Sequence, residues 1–219
     1  MQAPRMRVAL FGASLAGRRL ADGLEAAGHS VSLVQDPANI AEADLLILGV
    51  EEDALQRAID VVEEHVRDEL IVMHTCLSRG VQDLDPLETR GCVVAALAPI
   101  QQGRWALTAL DELGETIAGL LTAEMHAVTI ALNEDERGLY AARLYYAQVL
   151  ARLSGQAHKE LDLVEEPDMP AIDESAVRAA YRYITEPGLR RAYVESVRRL
   201  GEVEDRHALE MWAFQEENS

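Results

Sequence analysis

Cysteine and lysine are nearly absent from this chain, and long apolar runs are missing altogether. Its 219 residues hold two cysteines, Cys76 and Cys92, with no C-x-x-C pair and no histidine pair at zinc spacing. That pattern argues against a disulfide scaffold and against a structural metal site. The longest apolar stretches, such as Leu45 to Val50, are far too short to span a bilayer. The first residues lack the basic, apolar, small-residue order of a secretory leader. A soluble, cytoplasmic protein is expected. Basic side chains are also scarce, 20 against 38 acidic ones, for a formal net charge of −18. Nucleic acid and anionic membranes are bound by clustered Lys and Arg, so neither is expected as a partner. Lys159 is the only lysine, a skew read as base composition rather than chemistry.

What is present is enough to build a core. Hydrophobic residues make up 49% of the chain, and the mean hydropathy is −0.06. That suits one medium domain, or a nucleotide-binding-sized unit with a helical annex. Arg7 to Phe11 is a short β-prone run, followed at once by Gly12-Ala13-Ser14-Leu15-Ala16-Gly17. A helical pattern then places Leu20, Leu24 and Ala27 on one face, and Gly28 stops it. Ser30 to Val34 is a second strand, ending at Gln35-Asp36. Strand, glycine turn, helix and strand within about 30 residues is a βαβ unit with parallel strands.

Further buried strands are expected at Asp44–Gly49, Leu70–His74, Cys92–Leu97 and His126–Ala131. Their continuous apolar runs indicate cover on both faces. Helices are expected at Glu52–Val66 and Leu107–Leu121 between them. After about Asn133 the pattern is helical only: Glu134–Ser154, then Glu174–Thr185, then Pro187–Gln215. The fold class is therefore α/β, a doubly wound parallel sheet over residues 1–132 followed by an all-helical segment, 133–219. Only Pro37 to Ala43 separates the second strand from the third, whereas parallel crossovers usually take a dozen residues or more. A strand order beginning 2-1-3 follows, with the wall of an adenine pocket largely absent.

Gly12 to Gly17 is close to the dinucleotide-binding turn, in which glycines let the backbone approach a pyrophosphate at a helix N-terminus. Ser14 stands at the middle glycine. Arg18-Arg19 replaces the Lys and Ser/Thr of a P-loop, which excludes an NTPase. Gly12, Ser14, Leu15, Ala16 and Gly17 are the candidate pyrophosphate site, against a turn kept for folding alone. Asp36 is placed to accept from a ribose and to favour NAD over NADP; its alternative is an Asp-Pro turn. Glu52 and Asp53 read as ordinary helix-dipole partners. Val50 and His74-Thr75-Cys76 end neighbouring strands on the same rim. His74 is a candidate acid/base, against a hydrogen-bonded structural histidine. Cys76 carries no mark of an activated thiolate. Tyr140 and Arg143 share a helix face suited to an anionic substrate, against aromatic packing beside a solvated arginine.

Taken in order, the glycine turn, AAGHSV, ADLLILGVEEDAL, LIVMHTC, PLETRGCVVAALAPIQ and LNEDERGLYAARLYYAQVLARL make a familiar series. From about residue 6 to 155 the chain resembles the Rossmann-fold oxidoreductases related to pyrroline-5-carboxylate reductase and 6-phosphogluconate dehydrogenase. It most resembles a branch with a His-Ser-Gly strand end, a His-Pro-Leu-Gln stretch and a Tyr-His helix. The resemblance implies NAD(P)-dependent chemistry on a small molecule at the cleft between sheet and helices, and homodimers built through the C-terminal helices. It also implies Val50 and Thr75 beside the nicotinamide, His74 as proton donor and Tyr140 as substrate anchor. The chain departs from that pattern at Ser14, at Cys76-Leu77, at Ala98 before Pro99 and at Ala141 after Tyr140. Those departures motivate the alternatives: a cofactor-free partner-binding subunit, or a non-redox biosynthetic enzyme. Trp212 and the stripe Leu189, Tyr193, Val197, Leu200 and Val203 point to the dimer.

Overall fold

The computed structural model describes residues 5–161 and 171–218. The chain divides into two compact units, Met1–Arg137 and Gly138–Ser219. In the first, seven strands form one sheet: β1 Arg7–Phe11, β2 Ser30–Val34, β3 Leu45–Leu48, β4 Ile71–His74, β5 Val93–Gln101, β6 Arg104–Ala109 and β7 Val128–Ala131. Their order is β2-β1-β3-β4-β5-β6-β7. The expected 2-1-3 beginning is present, because the chain returns from β2 to β3 through only a short 3-10 helix, Pro37–Glu42. β1 to β5 are parallel, β6 runs antiparallel to β5, and β7 follows β6.

Alternation along the central strands feeds two separate cores. Leu46, Leu48, Val72, Val94 and Ala96 face α2 (Leu55–Val62), where Leu55, Ile59 and Val62 are fully buried. Leu45, Ile47, Met73, Ala95 and Leu97 face α1 (Leu15–Ala27) and α4 (Glu112–Glu124). Each fully buried Leu or Ile contributes roughly 1.5–3 kcal/mol, and β3 is buried along its whole length. That is why these strands read as unbroken apolar runs. α1 ends as its sequence requires, with Gly28 left-handed at φ 102 and its N–H returned to Leu24 and Glu25. A short helix, α3 Asp85–Thr89, lies between β4 and β5.

Two expectations are corrected here. The helix expected over Leu107–Leu121 begins only at Glu112, because Arg104–Ala109 is a strand. It forms a hairpin with β5 through a tight turn in which Gly103 has φ 70. Trp105 and Leu107 point into the core, so an apolar run shared by strand and helix hid the boundary. The helix expected over Pro187–Gln215 is two: α7 Pro187–Val203 and α8 His207–Glu217. The chain reverses at Asp205, which has φ 55. Gly201 lets α8 approach, since a Cβ there would meet the Glu210 backbone nitrogen at 2.7 Å.

The second unit also holds α6 Glu174–Ala180 and all but the first residue of α5, Arg137–Glu160. Its centre is aromatic. Tyr193 is fully buried, donates to the Val177 carbonyl at 2.7 Å, and stacks on Tyr146 with centroids 5.8 Å apart. Trp212 meets Tyr181 edge-on at 5.4 Å. Tyr193, Val197 and Leu200, the middle of the apolar stripe, are thus consumed within this unit. Glu204 ties the helices together, accepting from Arg152 and Arg206, and these partners hold its carboxyl below the usual range. No helix among the described residues is long and apolar enough to cross a membrane.

Candidate functional site

In an open parallel sheet, ligands sit outside the carboxyl ends of the strands, where the connections diverge. β1 is that point here, with β2 on one side and β3 on the other. The turn after β1 packs directly on the end of β3. Gly12 has φ 94, and a Cβ on it would meet the Gly49 carbonyl oxygen and the Val50 side chain. A Cβ on Gly17 would meet the Gly49 Cα. Both glycines are therefore required for close approach of protein to protein. Ser14 is 5% exposed, donates its N–H to the Gly49 carbonyl at 2.8 Å, and caps α1 by accepting from the Gly17 N–H at 3.1 Å. Its hydroxyl is thus folded back onto the helix. Leu15 and Ala16, in the first turn of α1, have N–H groups with no acceptor within the helix.

That arrangement tests the fit of a pyrophosphate. The middle residue of the turn is no glycine, but its side chain is drawn under the helix instead of standing before it. The free amides and the helix dipole together suit a phosphate. Asp36 lies at the end of β2 on the same rim, exposed, with Oδ1 accepting from the Ala38 N–H at 3.0 Å. It caps the 3-10 helix as an Asp-Pro turn does, and its carboxylate remains open to solvent. The pyrophosphate and ribose positions therefore fit the residues present.

The end of β4 is different. His74 is wholly buried, and its Nε2 donates to the Gly80 carbonyl at 2.8 Å. Burial foremost, then the nearby Arg137 guanidinium, push its pKa down to about 3. A neutral ring whose proton is already given to main chain is a structural clasp, which corrects the expectation of a proton donor at His74. Its Nδ1 and the Thr75 Oγ1 are buried without a hydrogen-bond partner. Thr75 is 2% exposed, and Val50 is half-buried and accepts the Cys76 thiol at 3.5 Å. Burial pushes the Cys76 thiol well up, away from a reactive thiolate.

Three residues that matter most to this rim were not singled out from sequence for that role. Arg137 is fully buried and donates to the carbonyls of Arg79, Cys76 and Ala96 and to the Thr108 hydroxyl, at 2.5, 3.2, 3.4 and 2.9 Å. Glu52, read as a dipole partner, is buried and accepts from both the N–H and the hydroxyl of Ser78. Glu134 accepts from the Val81 and Gln82 amides, and Gly80 leaves room for its carboxylate. No spacing announces such contacts, because each joins residues far apart in the chain. A cavity of about 310 Å³ lies beside β6 and β7, lined by Gln82, Leu107, Thr108, Leu110 and Glu134 among others.

Tyr140 belongs to the second unit, half-buried on α5, and Arg143 is exposed. Among the described residues no group of three His, Cys, Asp or Glu side chains is placed to hold a metal ion.

Residues 31–99 match the model of the Rossmann-like domain, a span that includes Asp36, Val50, His74 and Thr75 but not the glycine turn. No curated protein matches the chain in sequence. Several solved structures share its architecture. Synechocystis arogenate dehydrogenase is similar with a TM-score of 0.58 and 13% identity, covering 92% of this chain and 90% of its own. Prephenate dehydrogenase from A. aeolicus, in complex with hydroxyphenyl propionate and NAD+, gives 0.57 and 12%, covering 100% and 94%. Mycobacterium tuberculosis 3-hydroxyisobutyrate dehydrogenase gives 0.54 and 14%, covering 96% and 93%. At such identities the likeness is one of fold.

Proposed function

We propose that this protein is an NAD(P)-dependent oxidoreductase acting on a small molecule, with NAD favoured. The observation that carries the reading is the shared rim. The first-turn amides of α1, the open carboxylate of Asp36 and the Val50 end of β3 surround the point where the sheet connections diverge. Leu15 and Ala16 would hold the pyrophosphate, with Gly12, Ser14 and Gly17 fixing the turn. Asp36 would accept from the ribose, and its charge disfavours a 2′-phosphate. Val50, half-buried at the end of β3, would flank the nicotinamide, with the buried Thr75 standing behind the rim. When bound, the cofactor supplies hydride transfer; the chain binds, orients and excludes water. The clasped His74 holds the loop after β4. The complex named for prephenate dehydrogenase contains NAD+, which supports the reading by analogy of fold.

The competing reading, a turn kept for folding alone, draws on the packing of Gly12 and Gly17 against Gly49. Calorimetric titration with NADH and NADPH decides between them. Micromolar binding of NADH, with NADPH weaker, is the expected result. No heat with either at millimolar concentration removes the oxidoreductase and leaves a partner-binding subunit or a non-redox enzyme. For assembly we propose a homodimer through the C-terminal helices, where Leu150, Met211 and Phe214 are exposed. A monomeric mass by light scattering at micromolar concentration would refute it.

A further inference from the structure

A base at the far end of a dinucleotide needs walls, and the sheet shows where they would stand. In the order 3-2-1-4-5-6 a further strand flanks β2, reached through its own crossover helix. Here β2 is the last strand on its side. The chain leaves it at Asp36, makes one six-residue 3-10 helix and enters β3 directly. Ile40 and Ala43 are spent in the core beneath, so that segment seals the sheet and supplies no further strand or crossover helix of its own.

The consequence is visible along the edge. Ser30, Ser32 and Leu33 of β2 are exposed, Leu33 by 58%, although leucine in an inner strand is normally covered on both faces. Gln35, Asp36, Ala38 and Asn39 beyond it are exposed as well. A ribose hydroxyl can reach Asp36 from solvent. Among the described residues no further strand flanks β2 to wall a base attached to that ribose, beside which stands only the short 3-10 helix.

We propose that the site grips the nicotinamide, pyrophosphate and adjoining ribose of its cofactor and leaves the distal base in water, so that it does not distinguish adenine from another purine. This rests on the oxidoreductase reading above. Recognition is then concentrated at the α1 amides and the β3 end, and the dinucleotide is read from one side only.

The test is calorimetric titration of the whole chain with NADH, then with reduced nicotinamide guanine dinucleotide and reduced nicotinamide hypoxanthine dinucleotide. The three dissociation constants are expected to agree within about threefold. A base read by hydrogen bonds in an enclosed pocket would instead favour NADH by more than about thirtyfold, since a wrong edge leaves buried groups unpaired. That result overturns this inference and leaves the oxidoreductase standing. Absence of heat with NADH itself overturns both. An independent readout uses the 1,N6-etheno derivative of NAD+, whose fluorescence reports on the base. Acrylamide should quench it about as readily bound as free, and protection on binding would refute the open base.

Discussion

The two ends of the same rim are finished in opposite ways. Around β1 and β2 the chain leaves helix N-terminal backbone donors and the exposed Asp36 carboxylate. Around β4 and β5 nearly every polar group in the loop from Cys76 to Gln82 is satisfied by protein: Arg137, Glu52, His74 and Glu134 each take part. A buried polar group must find a partner or pay its desolvation cost. The loop after β4 meets most of that demand internally, although His74 Nδ1 and Thr75 Oγ1 at the strand end stay unpaired, and the β1 end leaves its groups open to solvent.

The largest way to break this contrast is to remove Arg137. Arg137→Met strips four acceptors of their donor inside the sheet, and the loss is about 3–5 kcal/mol in urea unfolding of the whole chain. A loss below about 1 kcal/mol would mean that the loop is held by something else. The next effect is the pH response of His74. Its ring is neutral when folded down to about pH 3, whereas the unfolded ring protonates below 6.5. The unfolded state therefore binds more protons between those values, and stability falls as pH is lowered through that window. Between pH 6.5 and 5 the His74 share amounts to about 2 kcal/mol. In His74→Gln, whose amide can still donate to Gly80, that part of the slope should vanish. An unchanged slope would show that the ring is solvated and can protonate. The smallest effect belongs to the bare side. Leu33→Ser should shift stability by no more than about 0.5 kcal/mol, and a penalty well above that would reveal cover over β2.

Much of the bare side was legible in the sequence, because its determinants are local. Gly12, Gly17 and Gly28 mark a turn and a helix end, and the seven residues between Asp36 and Asp44 leave too little chain for another helix. The closed side was not legible for the opposite reason. Arg137 follows Glu134-Asp135-Glu136 and looks like one more charge at a helix start; only the folded sheet brings it to carbonyls near residues 76 and 96. β6 escaped notice because its apolar residues run on into α4, although Gln102-Gly103 between two apolar runs is a hairpin signal. At His74 the sequence leaves two readings open, an acid/base or a hydrogen-bonded structural residue, and its burial against Gly80 favours the second.

Arg137 has one more consequence, for anyone who would divide the molecule. The change from strands to helices invites a cut at residue 132, yet the sheet is not finished there. Glu134 and Arg137 come after that point, and both are sewn back into the loop that follows β4. A fragment ending at 132 would carry away the stitches with the discarded piece. The smallest separable unit must extend past 137, with enough of the following helix to hold that arginine's backbone in place.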